Sequence, residues 1–125
     1  MSLTEATSMA MSLSETAARE AAQAYRELLD ALARRYALQQ DEARVVLGDT
    51  LRGLHALLAT MERGGAEADA CREPLRTLVC KLSSAATFSA MAQRLLNQDE
   101  DASVREEAQR LRAVVEFCLS ASCYS

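Results

Sequence analysis

Apolar and polar positions alternate with helical spacing along nearly the whole chain. The longest apolar stretch runs from Pro74 to Asn97, PLRTLVCKLSSAATFSAMAQRLLN, and Arg76, Lys81 and Arg94 are its only charges. Leu75, Leu78, Val79, Leu82, Ala85, Ala86, Ser89, Ala92 and Leu96 recur at steps of three and four, which is one face of a helix. Phe88, Met91 and Leu95 widen that face. Such an element predicts a central packing helix, covered on more than one side.

Three further amphipathic segments are available to cover it. A first helix is expected after Ser12 or Ser14, because Ser12 and Glu15 have capping-box spacing. Its seam reads Ala18, Ala22, Tyr25, Leu29, Leu32 and Tyr36, with Ala21 and Leu28 beside it. After a short link, Asp41 is expected to cap a second helix whose seam is Ala43, Leu47, Leu51, Leu54, Leu58 and Met61. Gly64-Gly65 should end it, since glycine takes a left-handed C′ conformation cheaply. Residues 64–73 read as a loop and Pro74 suits the first turn of the next helix, although that helix could also begin near Ala66 and bend at the proline. Asn97 to Asp101 makes an acidic turn without the ligand spacing or central glycine of a calcium loop. Ser103 to Glu106 repeats the capping-box spacing before a last seam of Val104, Ala108, Leu111, Val115, Cys118 and Ser122.

Four helices with short links predict an all-α fold, an antiparallel up-down-up-down four-helix bundle over residues 14–125. Residues 1–13 are expected to be a flexible tail. The apolar width of the third helix also suggests a homodimer, or a helical hairpin pair completed by a second copy.

Composition sharpens this picture. A chain of 125 residues is one domain on length alone. Its apolar mass is alanine and leucine, which favours helix. Net charge is −4, and no basic stripe rises above its acidic neighbours, so nucleic acid is not an expected partner. No apolar run reaches the ~20 residues of a membrane span. Lys81 is the only lysine beside thirteen arginines, the bias of a GC-rich bacterial genome. The N-terminus lacks the basic start and apolar run of a secretory signal, so a cytoplasmic location with reduced thiols is expected. Its Ser/Thr-rich composition without a base before Arg19 resembles a type III secretion leader. The plainer reading is a tail with alternative starts at Met9 and Met11.

Candidate chemistry is sparse. Cys71, Cys80, Cys118 and Cys123 share no CxxC spacing. In the antiparallel bundle all four fall at one end, with His55 near the level of Cys80, which would allow a Cys/His metal or thiol site. Cys118 sits on a core seam, where cysteine behaves as a small hydrophobe, and packing is the expected role of these thiols. No metal or other cofactor is expected. The segment from His55 to Gly65, HALLATMERGG, resembles the motif of histidine phosphotransfer domains in its histidine and its distal glycine. That resemblance implies a four-helix bundle with His55 as the phosphoryl acceptor. Leu58 stands where the family has a basic residue, and Ala59 where it has glycine. No GxSxG, HExxH or phosphate-binding glycine loop is present.

The expected role is therefore non-enzymatic: a small bacterial helical protein acting through protein–protein contact, of adaptor, regulator, secretion-chaperone or immunity type. Phe88, Met91 and Leu95 are the expected interaction surface. Phosphotransfer through His55 and a site built on His55, Cys80 and Cys118 are the alternatives.

Overall fold

The computed structural model describes residues 15–123, and the fold is all-α. The helices are α1 (Glu15–Tyr36), α2 (Gln40–Arg63), α3 (Ala66–Ala70), α4 (Arg72–Lys81), α5 (Ala86–Leu96) and α6 (Asp101–Cys123). The expected tail, most of the first capping box and the side chains of Ser122 and Cys123 lie outside what is described.

The central pair is α2 and α6. Every expected seam residue of α2, from Ala43 to Met61, is fully buried. Val104, Ala108, Leu111, Val115 and Cys118 form the facing seam of α6 and are all buried. Burying a leucine of this kind contributes roughly 1.5–3 kcal/mol. Cross-links fix the direction. His55 meets Glu116, Glu62 meets Arg112, and the Arg105 side chain crosses against Gly64. Numbers rise along α2 as they fall along α6, so the two are antiparallel.

The expected single helix over Pro74 to Asn97 is two helices. At Leu82–Ala85 the chain leaves the helix through bonds of shorter span: Leu82 N–H donates to Val79, Ser83 N–H to Cys80 and Ala85 N–H to Leu82. Ser83 and Ser84 are weak helix formers because their hydroxyls compete for the backbone. A distant residue then starts α5. One carboxylate oxygen of Glu27 accepts the Thr87 N–H at 2.8 Å, and the other accepts its hydroxyl at 3.1 Å. No side chain at Ala85 caps this helix, so α1 supplies the cap.

This break changes the topology. The extra reversal makes α6 antiparallel to α2, where an up-down-up-down bundle would set the second and last helices parallel. The apolar face that suggested an external surface is used inside the chain. Phe88 and Leu95 have no exposed area, and α5 packs on α1 and α6. They are core residues, not an interaction surface, and the width that suggested a homodimer is spent within one chain.

Smaller departures have local causes. The buried stripe of α1 is Ala21, Ala24, Leu28, Leu29, Ala31 and Leu32, rotated from the expected seam so that Ala18, Ala22 and Tyr25 lie at its edge. Both stripes have the same period, and periodicity cannot choose between them. The N-cap of α2 is Gln39, whose N–H is accepted by Glu42 at 2.9 Å, while Asp41 pairs with Arg44. Ser103 falls inside the first turn of α6. Pro74 does occupy a first turn, that of α4, where its missing donor costs nothing. Gly64 and Gly65 end α2 with φ of 81° and 87° but extended ψ, a region closed to residues with a Cβ.

Candidate functional site

His55 lies on the flank of α2, one-third exposed, facing α6. Its Nε2 is 2.9 Å from a carboxylate oxygen of Glu116. Arg112 donates to that same oxygen at 2.9 Å and, through Nε, to Glu62 at 2.6 Å. The hydrogen bond with Glu62 foremost holds the Arg112 guanidinium above its usual pKa. A chain of hydrogen bonds and ion pairs thus clips α2 to α6. The arrangement disfavours phosphoryl transfer: the Nε2 atom that would attack is engaged, and its partner repels an incoming phosphate. Leu58, where the phosphotransfer motif has a basic residue, is fully buried in the core.

The described cysteines, Cys71, Cys80 and Cys118, do not form a common site. Cys71 joins α3 to α4, whereas Cys80 is exposed at the other end of α4. Cys118 is in the core, its Sγ 3.8 Å from the Ala21 carbonyl, and burial pushes its thiol up to about 12. Among the described residues no three of His, Cys, Asp and Glu are grouped to hold a metal. The thiolate that nucleophilic or metal chemistry requires is therefore suppressed at Cys118.

The third expected surface residue, Met91, is half-buried in a cleft of about 470 Å³ between α1, α5 and α6. Its rim carries charges of both signs, and Arg110 there is already paired with Glu106 and Glu107.

A different feature stands at the α1–α2 turn. Ala37 takes φ of 51°, a left-handed conformation that costs a non-glycine residue roughly 1–2 kcal/mol. The turn lets Leu38 N–H donate to the Ala33 carbonyl at 2.9 Å and folds the Leu38 side chain back against the core. Leu38 then joins Leu32 and Tyr36 of α1, Val46 and Thr50 of α2, and Leu78, Lys81 and Leu82 at the end of α4. Together they line an apolar groove of about 410 Å³. Its few polar groups do not converge: the Thr50 hydroxyl already donates to the Val46 carbonyl at 2.9 Å. Among the described residues two large hydrophobic side chains are exposed, Tyr36 at 50% and Val45 at 67%. Tyr36 lines the groove, and Val45 precedes one of its walls.

Sequence reasoning missed this groove because its residues come from three separate elements, and Leu32, Tyr36, Leu78 and Leu82 read there as core seam positions. The one local signal was the Val45-Val46 pair, which puts a valine off the α2 seam.

No protein-family model matches the chain, and no curated protein or solved structure does.

Proposed function

We propose that this chain is a non-enzymatic helical protein that acts by binding a protein partner through the groove at the α1–α2 turn. An adaptor, regulator, secretion chaperone or immunity protein would work this way. The observation that carries the proposal is the apolar groove itself, with the half-exposed Tyr36 on its wall. Apolar side chains left in water at one place are stabilised when a partner covers them. A catalytic role has less support, since the Nε2 of His55 is tied to Glu116 and the Cys118 thiol is buried. The arginine bias supports a bacterial setting for this role.

Photocrosslinking in cells tests the proposal. A photoreactive amino acid in place of Val45 should give a discrete protein adduct that Tyr36→Glu abolishes. The same probe in place of Glu73, an exposed position of α4, should not give it. Equal adducts from both positions, insensitive to Tyr36→Glu, would reject the groove.

A further inference from the structure

We propose that the occupant of the groove is an amphipathic helix of a partner protein, with apolar anchors flanked by acidic residues. This rests on the groove being the docking face and adds the chemistry that selects the partner.

Most carboxylates of the neighbouring helix segments are neutralised within their own helices. Asp30 pairs with Arg34, Asp41 with Arg44 and Asp49 with Arg52, while Glu42 accepts the neutral Gln39 N–H and keeps its charge. Two cations remain. Lys81 lines the groove, and among the described residues it is paired with no carboxylate. Arg35 is likewise without a carboxylate, and its guanidinium stands 5.9 Å from the ring centroid of Tyr36. A cation held against an aromatic face keeps its N–H groups available at the edge of the plane. Set against Glu42, Arg35 and Lys81 leave this end of the molecule with a small net positive charge among the described residues, although the whole chain is acidic at −4.

The shape of the site favours a helix. The walls are helix flanks from α1, α2 and α4, which suit apolar anchors spaced at i, i+3 or i+4, and i+7. A small polar ligand would need several converging donors or acceptors, and the groove offers none beyond the rim. Acidic residues beside the anchors would meet Arg35 and Lys81. Basic ones would meet repulsion, so the same two residues attract one class of helix and reject the other.

The test uses the full-length protein and a displayed library of 16-residue amphipathic helices. Anchor positions in the library are apolar, and flanking positions are randomised among Glu, Gln and Lys. Selected peptides are then titrated against isotope-labelled protein and mapped by amide shifts. The expected binders are enriched in Glu, shift Leu38, Val46 and Leu78, and bind about tenfold more weakly to the Arg35→Glu/Lys81→Glu variant, with selection against that variant turning to Lys. Binders that map to the groove without charge preference would overturn the acidic partner and leave the docking face standing. A selection that yields nothing mapping to the groove would overturn both. Both substitutions are at exposed positions, and circular dichroism of the variant verifies that it is folded.

Discussion

Phe88 shows how a single residue changes meaning between chain and fold. In the sequence it widens an apolar helix face and looks like surplus surface. Among the described residues it is the largest fully buried side chain, set in α5 against the other helices. Truncating a buried phenylalanine removes its transfer energy and leaves a cavity, so Phe88→Ala should cost about 3–5 kcal/mol in urea unfolding. A loss below about 1 kcal/mol would put Phe88 back at the surface. Tyr36 moved the other way. It closes the expected α1 seam, yet the buried stripe passes through Leu28, Ala31 and Leu32 and leaves Tyr36 half in water.

At the scale of elements, the decisive feature is the break between α4 and α5. It depends on Glu27, whose carboxyl is held below its usual pKa. The Gln23 hydrogen bond is the leading cause; burial opposes it, and the Thr87 amide and hydroxyl, with the Arg26 charge, lower the pKa further. A depressed carboxyl contributes stability above its unfolded pKa, and that contribution is lost as pH falls through the folded value. Thermal unfolding followed from pH 7 downward should therefore show part of its acid destabilisation below about pH 4.5. Glu27→Gln should be less stable at pH 7 by about 1 kcal/mol, and its acid limb should be shallower. Parallel acid limbs for the two proteins would show that Glu27 does not cap α5. The long seams of α2 and α6 were legible in the sequence because each is a run of large residues with one unambiguous stripe. The break was not, because Ser83-Ser84 carries no glycine or proline and the residue that caps α5 lies sixty positions away. The rotation of α1 was hidden by its alanines, which make two neighbouring stripes equally apolar.

For the whole molecule, the all-α class was legible from composition and periodicity. The topology was not, because one added reversal turns the last helix around relative to α2. The groove was legible only in fragments. It exists because the left-handed Ala37 returns Leu38 to the core and because α4 stops at the level of Thr50, properties of three elements at once. The expected convergence of the cysteines assumed a continuous third helix and a last helix of the opposite sense, and Cys71 and Cys80 instead stand at opposite ends of the short α4.

The central claim is that the α1–α2 end is covered in the cell while the apolar face of α5 is covered by the chain itself. Hydroxyl-radical footprinting of the purified protein and of the same protein in its cells tests both halves together. Tyr36 should be strongly oxidised in the purified protein and protected in cells, with Phe88 unreactive in both. Equal oxidation of Tyr36 in the two settings, or strong oxidation of Phe88 in the folded purified protein, would contradict the account.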